Sequence, residues 1–132
     1  MGFDIRVIEF DDAGWSVCTT VYMSYNWSDL SDIWYVREHM HDKPSSEVSK
    51  HLVAALAKLD ERGIKSKTFD SKENPSWGWG LDMSKEDRLG VFRSHLEYLL
   101  TVATQYPDAY FLDEETDEFT VNGRTYIVWE KN

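Results

Sequence analysis

With 132 residues the chain has the length of one ordinary domain, and 42% hydrophobic against 29% charged residues make it globular rather than disordered. Twenty-four acids against 14 Lys and Arg leave a formal charge of −10, which argues against nucleic acid and anionic membrane as partners. A single cysteine, Cys18, excludes an intrachain disulfide framework and a Cys-rich zinc site, and no apolar run approaches the roughly 20 residues of a bilayer span.

Residues 3–10, "FDIRVIEF", alternate with period two, Phe3, Ile5 and Val7 on one side and Asp4 and Arg6 on the other. Ile8 and Phe10 predict burial of both faces near the end of this strand. "DDAG" (11–14) is turn chemistry, and the β-branched and aromatic "WSVCTTVYMSY" (15–25) predicts the second strand of a hairpin. The period then changes. Leu30, Ile33, Trp34 and Met40 form a helical stripe with Ser28 or Ser31 as N-cap, and "HDKPSS" breaks it. A second helix starts near Ser45 or Ser46 and buries Val48, Leu52, Ala55, Leu56 and Leu59. It ends with Arg62 in the last turn and Gly63 just past it. Residues 64–83 form a long connector. "SKED" opens a third helix, in which Ser84 and Asp87 make a capping-box pattern. Leu89, Phe92, Leu96, Leu99, Leu100 and Ala103 line one face of it, Val91, His95, Tyr98 and Val102 a second, and Pro107 closes it. "AYFL" (109–112) is a short strand. "EFTVNGRTYIVWE" (118–130) is two alternating runs around Asn122-Gly123, the strongest short-range hairpin signal. The expectation is one α+β domain over residues 1–132. Its antiparallel sheet is built from N- and C-terminal strands, with three helices packed on one face.

Two stretches stand out as binding elements. In "NPSWGWG" (74–80), Gly78 and Gly80 permit close backbone approach. Trp77 and Trp79 each offer a large apolar face and one N–H donor, suited to a base, a sugar or a partner side chain. The alternative is that the loop folds back and one Trp plugs the core. In "SYNWSDLSDIWY" (24–35), Asn26 lies at the strand-to-helix junction beside Tyr25, Trp27, Trp34 and Tyr35. It can bond a ligand through both amide atoms or simply close its own turn. "HMHD" (39–42) has metal-ligand residue types, but positions two apart diverge on a helix, so no metal or cofactor is expected. "LDEETDEF" (112–119) lacks the pattern of a calcium loop and reads as solvated. Cys18 reads as a small apolar strand residue rather than a nucleophile. The opening "MGFDIRVIEF" is not a signal peptide, and Arg6 stands where a myristoylation signature needs Ser or Thr. A cytoplasmic protein is expected.

Several of these pieces occur together elsewhere. The strand-end "SYN" (24–26), the Leu/Ala stripe of "VSKHLVAALAKL" (48–59), the loop residues Asn74, Pro75, Gly78, Trp79 and Gly80, and the helix closing at Pro-Asp-Ala (107–109) resemble a group of small proteins encoded by bacteria and their phages. The resemblance covers roughly residues 17 to 112. In that group the loop usually reads Asn-Gly-Trp-Gly, and here Trp77 stands where the Asn would be. The resemblance implies a small accessory protein in the host cytoplasm and no mechanism. Asn26 and Gly78–Gly80, shared with the group, are expected to face each other across one pocket.

The leading functional expectation is a non-enzymatic, phage- or mobile-element-encoded binding protein that inhibits a host defence protein by direct contact. Tryptophans would supply contact area, and acids would steer it to a basic partner. Two alternatives stand beside it: sequestration of a small nucleotide-like signal in an aromatic pocket, and a small hydrolase using His39, His41 or a loop acid.

Overall fold

The computed structural model describes residues 2–24, 40–67 and 84–128. The N-terminal alternation produces a long hairpin, β1 (Gly2–Asp11) and β2 (Gly14–Ser24), antiparallel throughout. Its turn is an Asx turn. Asp11 Oδ1 accepts from the backbone N–H of Ala13 (2.8 Å) and of Gly14 (3.0 Å), as expected of "DDAG". The register steps by one at Cys18, because Val7 lies opposite Thr19 and Ile8 opposite Val17. That bulge kinks β2 midway.

The segment that breaks the helical pattern is itself a strand. β3 (Lys43–Pro44) pairs with β4 (Tyr110–Asp113), which in turn pairs with β1, and the sheet order is β2-β1-β4-β3. Pro44 is tolerated because β3 is an edge. Two helices lie among the described residues, α1 (Ser45–Glu61) and α2 (Lys85–Gln105). The expected helix over residues 28–40 lies outside them except for Met40, which is buried in the core. No described helix is long and apolar enough to cross a membrane.

Two helix caps follow the sequence. At the end of α1, Gly63 adopts φ +71°, its N–H bonds Asp60 O, and Ile64 N–H bonds Leu59 O. This is the Schellman arrangement that a glycine at that position predicts. At the start of α2, Ser84 accepts from Asp87 N–H at 3.1 Å. Asp87 does not return the bond, and its carboxylate instead takes the Lys67 ammonium. Helix α1 starts at Ser45, within the expected bounds; Pro44 holds the N-cap position without a side-chain bond, and Ser45 Oγ donates to Tyr106 O at 2.7 Å. That bond and Ser45 N–H to Ala109 O fasten the start of α1 to the chain leaving α2.

The alternation of β1 sorts the interior into two layers. Ile5, Val7, Val21 and Phe111 share a cluster with Val48, Leu52, Ala55 and Leu59 of α1 and with Leu89, Phe92, Leu96 and Leu99 of α2. Both helices therefore cover one sheet face. Of the second stripe predicted on α2, Val102 is buried, Val91 and His95 are half-buried, and Tyr98 is exposed. The opposite sheet face carries Ile8, Phe10, Tyr110 and Leu112, packed with Phe119, Tyr126 and Val128.

This second cluster corrects one expectation. The C-terminal hairpin, β5 (Glu118–Val121) and β6 (Arg124–Ile127), turns at Asn122-Gly123 with both φ values positive, but it does not extend the main sheet. It is a separate two-stranded sheet lying on the outer face of the first. Phe10 stacks on Phe119 at 5.7 Å and meets Tyr126 at 4.8 Å. Each such aromatic pair contributes about 0.5–1.5 kcal/mol beyond area burial. Trp15 Nε1–H to Ile127 O, Arg124 to Asp12 O and Tyr126 OH to Asp11 O tie the hairpin to the β1–β2 turn.

Candidate functional site

Among the described residues, the hairpin covers one end of the outer sheet face. At the other end, Asp4 and Arg6 of β1 lie opposite Tyr22 and Thr20 of β2, and directly opposed residues project from the same side of a sheet. The loop after β4 brings Glu114 and Glu115 alongside: Glu114 N–H bonds Asp4 O, and Glu114 Oε2 accepts from Asp4 N–H at 3.4 Å. Asp4, Arg6, Thr20, Glu114 and Glu115 enclose a recess of about 360 Å³. Tyr22, 55% exposed, lies beside it.

Arg6 forms the floor. It is 5% exposed. Its guanidinium donates to three backbone carbonyls, those of Val128, Asp113 (3.3 Å) and Thr116 (3.2 Å). Burial pulls its pKa below the ordinary arginine value, and the carboxylates of Asp117, Asp113, Asp42 and Glu114 oppose that shift. Arg6 therefore stays a cation and holds the ends of β4 and β6 together. The charged side chains left to face a ligand are Asp4, Glu114 and Glu115, all exposed beside the neutral Thr20, so the rim is anionic above a cation spent on structure.

Behind the recess lies a polar network centred on Asp42, which holds φ +57°. Its Oδ1 accepts from Thr116 Oγ1 (2.9 Å) and from Asp113 N–H (3.4 Å), bonds that hold a non-glycine residue in that conformation. His41 Nε2 lies 2.8 Å from Asp113 Oδ2. A carboxylate that orients an imidazole is half of a catalytic arrangement, and the other half is a nucleophile bonded to the ring. Thr116, the adjacent hydroxyl, donates to Asp42 instead. Among the described residues, no group of three His, Cys, Asp or Glu can hold a metal ion. Cys18 donates its S–H to Glu9 Oε1 at 2.9 Å, and burial together with that carboxylate pushes the thiol up to about 11. It is almost wholly protonated at neutral pH and a poor nucleophile.

The residues singled out in the sequence, Tyr25, Asn26, Trp27, Trp34, Asn74, Trp77, Gly78, Trp79 and Gly80, all lie outside the described residues, as does His39. The pocket expected between Asn26 and Gly78–Gly80 lies there too. The nearest described residues on either side are 64–67 and those from Ser84 onward. The chain crosses α2 at Gly90, where Lys67 N–H bonds Gly90 O at 3.0 Å. Lys65, Ser66, Lys67, Glu86, Asp87 and Gly90 line a shallow cleft there.

Reading the sequence alone missed the recess, because its residues are local to nothing. One signal was present: Arg6 is a lone cation on a strand face shared by Asp4, Ile8 and Phe10. The "LDEETDEF" loop, expected to be solvated, is half so. Glu114, Glu115 and Asp117 are exposed, while Asp113 and Thr116 are drawn into the network beside Arg6. Comparison with family models, with curated proteins and with solved structures finds no match.

Proposed function

We propose that the chain is a non-enzymatic binding protein that docks on a basic protein surface. In the context its resemblance implies, it acts as a phage- or mobile-element-encoded inhibitor of a host defence protein. The observation that supports this reading is the half of the outer sheet face beyond the hairpin, where Asp4, Glu114 and Glu115 line a recess with Tyr22 at its side. A carboxylate rim favours a lysine or arginine from a partner, and an exposed tyrosine adds contact area and a π-face for the same cation. The net charge of −10 extends this attraction over the encounter distance. Sequestration of a nucleotide-like anion has weaker support. Lys65 and Lys67 line the cleft at the head of α2, but Glu86 and Asp87 line it as well, and Lys67 is engaged by Asp87.

The test is capture of partners from bacterial lysate on the tagged full chain, at low and at high salt, read by mass spectrometry of both proteins and released small molecules. The reading predicts a stoichiometric protein with a basic surface whose retention falls as salt rises. A released small molecule without a protein would overturn it.

A further inference from the structure

β2 is the edge of the main sheet, and no described residue pairs with its outer side. Natural edge strands are blunted by charge, proline, a bulge or extreme shortness. β2 has 11 residues, and "GWSVCTTVYMS" contains no charged residue and no proline. Among the described residues the blunting device is the bulge at Cys18, and residues 19–24 beyond it form a regular run with no described partner on its outer side. Of these, Thr20 and Tyr22 belong to the outer face, and the recess lies directly behind Thr20. Thr20 is small and is the lining residue that β2 contributes to the recess.

From these observations, and resting on the binding reading above, we infer that β2 accepts an extended segment of a partner protein as a fifth strand along residues 19–24, with lysine or arginine at alternate positions. Main-chain bonds to the open edge supply the docking, as in other strand additions. The alternate side chains on the outer face pass over Thr20 toward Asp4, two strand spacings or roughly 10 Å from the added backbone, with Glu114 and Glu115 about one spacing further on. Tyr22 flanks the path of the cation. Those on the inner face lie alongside Val21 at the margin of the helix-covered core and are apolar. The charges select against a second copy as the occupant. It would bring another set of the same three carboxylates to the same face, between chains of −10 each.

The probe is a synthetic, end-blocked peptide of about eight residues alternating Lys and Val, titrated into the full chain by calorimetry. Amide hydrogen exchange is followed in parallel. Binding protects amides of residues 19–24. It weakens by roughly tenfold or more in the Asp4→Asn/Glu114→Gln/Glu115→Gln variant, whose thermal melt is unchanged, and by as much for a peptide of the same charge N-methylated on alternate amides. Equal binding of the N-methylated peptide would overturn the strand addition and leave only an acidic patch. So would protection of residues 19–24 that grows with protein concentration alone, which would make a second copy the occupant. A cellular partner that binds the triple variant as well as it binds the unaltered chain would overturn this site while sparing the binding reading. Capture of small molecules only would remove the binding reading itself.

Discussion

Arg6 occupies a strand position that by alternation belongs to solvent, yet it is almost fully buried and bonded to three carbonyls from two distant segments. Hydrogen bonds to a charged donor contribute more than neutral ones, and removing the donor strands buried carbonyls. Arg6→Ala is therefore expected to lower stability by about 2–4 kcal/mol and to loosen the C-terminal hairpin. Denaturant unfolding and exchange of residues 118–128 check it, and a loss confined to a few tenths would contradict the structural role. The same residue shows what a sequence can disclose at this scale. Its place on the outer face is legible from period two. Its burial is not, because the carbonyls it serves come from residues 113, 116 and 128, more than a hundred positions away.

Elements with self-contained signals were legible. Asn122-Gly123 turns a hairpin, Gly63 closes α1, and Ser84 caps α2, because each signal acts through bonds within a few residues. Which elements pair is long-range information. The two-residue β3 carries no periodicity, and nothing within residues 118–130 says that the hairpin lies across the sheet rather than joining its edge. Gly90 shows the same limit, since a glycine inside a helical pattern signals a close approach without naming what approaches. The answer is the connector. A Cβ at Gly90 would stand 2.9 Å from Lys67 Cβ and 3.0 Å from Lys65 O. Alanine gains about 1 kcal/mol in helix propensity over glycine. Here the crowding falls on backbone held by the Lys67–Gly90 bond and outweighs that gain. Gly90→Ala is expected to destabilise by roughly 1–2 kcal/mol and to speed exchange at Lys67. A rise in melting temperature would contradict it.

Among the described residues, the sheet has a helical layer on one face and a half-length hairpin on the other, and the half beyond the hairpin is where the acids collect. The helical layer carries its own pH dependence. Burial pulls His95, half-way along α2, down to about 4, against 6.5 for an ordinary histidine. The folded state thus holds the imidazole neutral while the unfolded chain protonates it. Stability from this source is full above pH 6.5 and declines as pH falls toward 4, by on the order of 3 kcal/mol. Replacing His95 with Gln is expected to flatten the stability profile across that window, measured by urea unfolding at stepped pH. An unchanged slope would show that other groups carry it. Little of the candidate site was legible in the sequence, because residues 4, 6, 20, 22, 114 and 115 meet only through strand register. The aromatic stretches that attracted the reading lie outside the described residues.

The most direct test of the central claim is the affinity of the captured protein partner for the full chain and for its Asp4→Asn/Glu114→Gln/Glu115→Gln variant, measured side by side at fixed salt. The account predicts a loss of roughly tenfold or more with the melting temperature preserved. Equal affinities would place the binding surface elsewhere on the molecule and contradict the account.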